Sequence, residues 1–293
     1  VFADIPPRAF LASNPHYDQK RLEELGAELD RPLPLVRCNK CGFIFAGLHP
    51  SENLLSKIYS DSAREGEHPS LRLSWSAHLA GVNARILAAL SSFPDSRDLK
   101  ILDYGCGHGT LVRQLNAASS RVDAWGFDPD PMARSFMDQQ KTPYFRSLAE
   151  AKECAPFDMI SLNEVLEHVP YPKSLLKEVR TLLRPGGLVW IAVPPMPQSY
   201  IRKQLKLFET NQPFSPALNL WEHLNYFSGI TLRRMAAELG YEVYPERLTL
   251  DLGLHSELKG PALARAVLRA LRRLAESSLG GDPMGTSLIF RRI

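Results

Sequence analysis

ILDYGCGHGT, residues 101–110, is the stretch that decides how this chain folds. An apolar run ends on Asp103, and Gly105, Gly107 and Gly109 follow before a helical pattern begins. Glycine takes up positive φ without a steric penalty and lets the main chain approach a ligand closely. Glycines at alternate positions after a strand therefore mark a tight strand-to-helix turn. In an open α/β sheet that turn lies at the carboxyl end of the strand, where ligands bind. The next apolar run ends AWGFDPD and puts Asp128 at the tip of a second strand. A carboxylate there suits the hydroxyls of a ribose. Asp103 stands just ahead of the first glycine, where it would repel a pyrophosphate and attract an ammonium group. The ligand expected here carries a ribose and an amine.

Outward from that turn, strand-like runs at 100–104, 122–127, 157–162 and 188–193 alternate with helical patterns at 109–118, 131–140 and 173–183. Strands alternating with helices give right-handed βαβ units, hence an α/β, Rossmann-like and mostly parallel sheet covered on both faces. A helix at 70–92 precedes this unit. A helix at 228–239, a strand at 241–248, a basic helix at 261–277 and a closing strand at 287–292 follow it. The expected division is a cysteine-bearing module over 1–69, irregular to about residue 60, and a main domain over 70–293. Insertions at 195–227 and 249–285 interrupt the main domain.

Composition narrows the partners. Of 293 residues, 44% are hydrophobic and 23% charged, with a formal net charge of +3. So mild a basic excess argues against a dedicated nucleic-acid binder. No apolar run approaches the ~18 residues that a membrane span needs. With no charged-then-apolar opening segment, a cytoplasmic setting is the expectation. Cysteines at 38, 41, 106 and 154 do not form a disulfide framework in that setting.

FDMISLNEVLEHVPYPKSLLKEVRTLLRPGGLVWIAVP, residues 157–194, together with the glycine turn and Asp128, resembles the class I S-adenosylmethionine-dependent methyltransferases. The likeness covers about 98–248 in the usual order. It implies that Asp103, Gly105 and Gly107 hold the methionine end of the cofactor and that Asp128 holds the ribose. It also implies that Asn163 lines the sulfonium and adenosine, that Ser147 and Leu148 flank the adenine, and that the last strand runs antiparallel.

Methyl transfer to a weakly acidic acceptor needs an aligned nucleophile and a base. Two groups of residues compete for that work. The first is Glu164, Glu167 and His168 in NEVLEHV, which share one face if a helical turn starts there. This stretch resembles the quinone O-methyltransferases, where the matching acids and histidine bind a divalent ion; otherwise the residues brace a loop over the cofactor. The second is Glu222 and His223 in WEHLNYFS, residues 221–228, at the end of the 195–227 insertion. It resembles the Glu-His motif of deoxysugar C-methyltransferases, whose histidine acts as base beside an orienting glutamate. Leu220 stands where those enzymes carry a tyrosine. The plain alternative is a brace for the helix that starts near Ser228.

PLVRCNKCGFIF reads as a zinc knuckle, with Cys38 and Cys41 as thiolate ligands on a turn eased by Gly42. Residues 33–59 resemble the second half of the zinc-binding module of sugar C-methyltransferases, in which a first Cys-x-x-Cys lies upstream. His16 and His49 are substitute ligands, and Tyr59 falls near a tyrosine that contacts cofactor or substrate in those relatives. The expected activity is methylation of a small polar acceptor, such as a sugar nucleotide or a biosynthetic intermediate. A quinone- or phenol-type O-methyltransferase and a non-catalytic S-adenosylmethionine-binding protein are the alternatives. Arg265, Arg269, Arg272 and Arg273 on the basic helix would dock a phosphate-bearing acceptor or a carrier protein, or form an ordinary solvated face.

Overall fold

The computed structural model describes residues 1–5, 7–12, 19–51, 53–55, 57, 69–94, 97–215, 218, 222–244 and 286–293. The basic helix at 261–277, the far end of the strand at 241–248, and His16 and Tyr59 lie outside those residues.

The expectation of an irregular N-terminal stretch is corrected. β1 (Ala3–Ile5), β2 (Leu33–Arg37) and β3 (Ile44–Ala46) form an antiparallel sheet, with helices at Pro7–Ala12 and Gln19–Leu25. These strands are too short to show a period in sequence, and prolines break what period there is. Alternation is nonetheless present in β2, where Leu33 and Leu35 are fully buried and Pro34 and Val36 are not.

The main sheet contains β4 (Leu99–Tyr104), β5 (Val122–Phe127), β6 (Tyr144–Phe145), β7 (Phe157–Asn163) and β8 (Leu183–Val193). After them come β9 (Asn225–Tyr226), which belongs to the N-terminal sheet, then β10 (Tyr241–Val243) and β11 (Thr286–Arg292). The order across the main sheet is β10-β11-β8-β7-β4-β5-β6, parallel except at β11, which runs antiparallel to both neighbours. β7 is buried at every position because helices cover both faces of the sheet, which is why its sequence is nearly continuously apolar. β8 starts earlier than the sequence suggested. Leu183 pairs with Phe157, and the register then shifts before the main run at Leu188.

The chain leaves β4 first toward β5 and β6, then returns to β7 and β8 on the other side. β4 and β7 therefore flank the switch point at which α/β sheets bind ligands. A separate core joins the N-terminal segment to the insertion: Leu29, Leu33, Leu35 and Ile44 pack with Met196, Ile201, Leu224 and Tyr226. β9 completes the N-terminal sheet, with Ile44 opposite Tyr226 and Phe45 opposite Asn225.

Candidate active site

Asp103 is the penultimate residue of β4 and is 3% exposed. Burial pushes its carboxyl up to about 7; Ser161 works against the shift and the nearby Asp128 adds to it. A carboxyl in that state gains most from an incoming cation. Gly105, Gly107 and Gly109 all have positive φ, so an L side chain at any of them would strain the turn. At Gly105 a Cβ would also come within 2.6 Å of Val165, whereas at Gly107 it would meet nothing within 4 Å. The first glycine is packed against the protein, and the second borders open space.

Asp128 ties the tip of β5 to the glycine turn. One carboxylate oxygen accepts from Gly107 N at 2.9 Å and the other from Asp130 N at 2.9 Å. A carboxylate has about four lone-pair positions, so two remain for further donors. Asn163, at the end of β7, is buried, and its Oδ1 has no hydrogen-bond partner. The Ser147 hydroxyl accepts from Glu150 N at 3.2 Å as the N-cap of the helix Leu148–Glu153, while Leu148 packs against the core. The buried Asp103, the unpartnered Oδ1 of Asn163 and the open side of Gly107 fit a ligand with an ammonium, a ribose and a base.

NEVLEHV does not form a helix. Glu164 adopts φ +55°, its amide donates to Ala192 O at 2.8 Å, and a single turn follows. The Glu164 and Glu167 carboxyls nonetheless stay close enough to shift each other's pKa. Glu167 and His168 also meet His223, so the two groups that competed in the sequence converge in space. The His168 and His223 rings make an edge contact with centroids 4.7 Å apart, and ligand atoms of Glu167, His168 and His223 all lie within 4.8 Å of one another. His168 Nδ1 lies 3.0 Å from the main-chain oxygen of Glu222. A carbonyl only accepts, so Nδ1 carries the proton and Nε2 the lone pair. Burial, helped by His223, lowers the His168 pKa to about 3. Burial raises Glu164 to about 7 and Glu167 well above the usual carboxylate range, Glu167 being further raised by the charge of Glu164.

Asn225 was not legible as a site residue. Its amide nitrogen Nδ2 donates to Leu166 O at 3.0 Å and to Val169 O at 2.7 Å. The main-chain amides of Leu224 and Asn225 both donate to Glu167 O, at 2.6 and 3.0 Å. An asparagine inside the otherwise apolar run LNYF is the one hint the sequence offered.

Cys38 and Cys41 are free thiols on the turn between β2 and β3. Cys38 N donates to Phe43 O at 2.8 Å and Gly42 N to Cys38 O at 2.9 Å, a closed knuckle. Hydrogen bonding by Cys41 and the Lys40 amide lowers the Cys38 pKa. Among the described residues no further His, Cys, Asp or Glu joins the pair to make a group of three ligands. His49 lies edge-on to Tyr171, with centroids 5.4 Å apart.

Comparison with known proteins bears on this arrangement. The sequence profile of a family described as a methyltransferase domain matches residues 75–246. A ubiquinone biosynthesis O-methyltransferase of Aromatoleum aromaticum is 32% identical over 131 residues, 42% of this chain and 49% of that protein. One of Aeromonas salmonicida is 34% identical over 110 residues, 35% of this chain and 46% of that protein. The chain spans about half the length of the curated relatives it matches. Among solved structures, the plantazolicin methyltransferase BamL, in complex with a triazolic desmethylPZN analog and SAH, superposes with a TM-score of 0.51 at 14% identity. That match covers 81% of this chain and 96% of BamL, and it shows a shared fold.

Proposed function

This chain belongs to the methyltransferase-domain family, and we propose that it is an S-adenosylmethionine-dependent methyltransferase. Its acceptor is a small polar molecule seated between the 164–169 turn and the 222–227 loop. The observation that carries the reading is the meeting of Glu167, His168 and His223 at a turn whose Val165 packs against Gly105. The cofactor supplies a methyl group on a positively charged sulfur, which the acceptor attacks as the carbon–sulfur bond breaks.

The chain's own residues divide the remaining work. Asp103 receives the ammonium of the cofactor, and Asp128 offers its remaining lone pairs to the ribose hydroxyls. Gly107 leaves the space a side chain would fill, and Asn163 offers Oδ1 toward the adenosine. Ser147 and Leu148 border the base. On the acceptor side His223 takes the acceptor's proton, and Glu222, through its main-chain oxygen, fixes the tautomer of the neighbouring His168.

A phenol- or quinol-type oxygen is the acceptor that the similarity to ubiquinone biosynthesis O-methyltransferases supports. A sugar nucleotide is the acceptor that the Glu222-His223 resemblance supports. Release of S-adenosylhomocysteine, followed with panels of phenols and of sugar nucleotides, tests both. Acceptor-dependent release with a methylated product of matching mass is expected. Cofactor binding with no release across both panels would leave a binding protein, and absence of binding would sink the reading.

A further inference from the structure

We infer that Ser161 is a positioning residue of the cofactor site: its hydroxyl, next to Asp103 across the ladder between β4 and β7, donates to the Asp103 carboxylate when the cofactor's ammonium binds. This rests on the reading above that Asp103 receives that ammonium. In the parallel ladder Asp103 stands opposite Ser161, and Ser161 stands opposite Trp190. Side chains at paired positions share one face of a sheet, so the three form a row beside the switch point. Asp103 is 3% exposed, Ser161 and Trp190 not at all. The preceding row on that face, Ile101, Met159 and Leu188, is wholly apolar. Polar side chains thus enter this face of the sheet only one rung short of the glycine turn.

A buried hydroxyl is costly without a partner. Among the described residues Ser161 Oγ has none at hydrogen-bond distance. Trp190 cannot take its proton, because an indole offers a donor and no acceptor. The acceptor beside it is the Asp103 carboxyl. Hydrogen bonds to an ionised oxygen are shorter and about twice as strong as neutral ones, so ionisation of Asp103 draws the hydroxyl in. On the other flank of Asp103 stands Gly126, where a Cβ would lie 2.6 Å from the Cys106 thiol.

Among the described residues the titratable groups facing Asp103 are Asp128, whose charge opposes its ionisation, and Cys106, which burial keeps a neutral thiol. Ser161 acts the other way and favours the charged form that an ammonium needs. Without the hydroxyl Asp103 holds its proton to higher pH. Binding must then displace that proton, so affinity falls where the carboxyl is protonated and recovers where it is ionised.

The test is a calorimetric titration of S-adenosylhomocysteine, which carries the same amine, into the full chain and its Ser161→Ala, Ser161→Cys and Asp103→Asn variants at about pH 6 and about pH 8.5. The ligand's own amine titrates alike against every variant, so affinity ratios isolate the protein. Loss of a hydrogen bond to a charged group raises the carboxyl by about one pH unit. Affinity in Ser161→Ala should therefore fall about 10-fold at pH 6 and stay within about 2-fold of wild type at pH 8.5. Proton release on binding should persist to about one pH unit higher than in wild type. Ser161→Cys fills the same space with a weak donor and should follow Ser161→Ala. Wild-type affinity at pH 6 in Ser161→Ala, a loss of equal size at both pH values, or wild-type behaviour of Ser161→Cys would overturn the role. Asp103→Asn separates that failure from failure of the ammonium assignment. If it binds like wild type with equal proton release, the assignment fails and takes the role of Ser161 with it. If it binds weakly without the release while Ser161→Ala matches wild type, only the role of Ser161 fails.

Discussion

On one side of the site, Asp103, the glycine turn and Asp128 lie within a single βαβ unit, and a hydrogen bond inside that unit ties Asp128 to the turn. On the other side, Glu167 and His168 gain their partner only when a distant insertion folds back, and β9 of that insertion pairs with a strand of the N-terminal sheet. The first side is local and forms with the sheet. The second depends on three separate parts of the chain meeting. Cofactor affinity should therefore tolerate damage to the insertion, whereas turnover should not.

The largest break in that comparison should come from His223→Ala. Removing the base should lower turnover by about 100- to 10,000-fold. Single-turnover rates at saturating cofactor check it, and activity within a few-fold of wild type would pass the role to His168.

Asp103 provides a pH signature for the local side. Unfolded, this carboxyl releases its proton near 3.8; folded, it holds the proton up to about 7. Between those values the folded state binds more protons, so the stability of the cofactor-free chain falls as pH rises through the window. The loss attributable to Asp103 is on the order of 4 kcal/mol at most. Asp103→Asn should flatten that part of the melting-temperature profile. An ammonium beside Asp103 favours its charged form, so cofactor binding at about pH 6 should release up to roughly one proton, and almost none at about pH 8.5. Calorimetry in buffers of differing ionisation enthalpy measures this release. Equal release in wild type and Asp103→Asn would remove Asp103 from the ammonium site.

Asn225→Ala leaves the buried Leu166 carbonyl and the partly buried Val169 carbonyl without this donor and should cost about 1–3 kcal/mol in stability. It should also lower turnover more than cofactor affinity, because the turn it grips carries Glu167 and His168. Chemical denaturation together with steady-state kinetics separates the two effects, and equal losses in both would reduce Asn225 to a packing residue. The smallest effect belongs to Ser147→Ala. Its hydroxyl caps a helix, so about 1 kcal/mol of stability should go with little change in cofactor affinity.

The same contrast explains what could be read from the sequence. The glycine turn, Asp128 and the strand–helix alternation rest on local rules, and β4, β5, β7 and the helices Thr110–Ala118 and Pro131–Gln139 fall within a residue or two of their expected bounds, while the short helix Leu148–Glu153 was not foreseen. The antiparallel final strand followed from the family likeness and is present. The N-terminal sheet escaped notice because its strands are two to five residues long and one of them, β9, comes from the insertion. Glu167, His168 and His223 were each singled out, but as rivals. Nothing in their spacing could show that positive φ at Glu164 and the grip of Asn225 would bring them together.

The most direct test of the two-sided account is a calorimetric titration of S-adenosylmethionine into wild type, Asp128→Ala and His223→Ala, side by side. The account predicts that Asp128→Ala binds more weakly by about 1.5–3 kcal/mol, the value of hydrogen bonds to a charged group, while His223→Ala stays within about 3-fold of wild type. Unchanged affinity in Asp128→Ala, or an equal loss in His223→Ala, would contradict it.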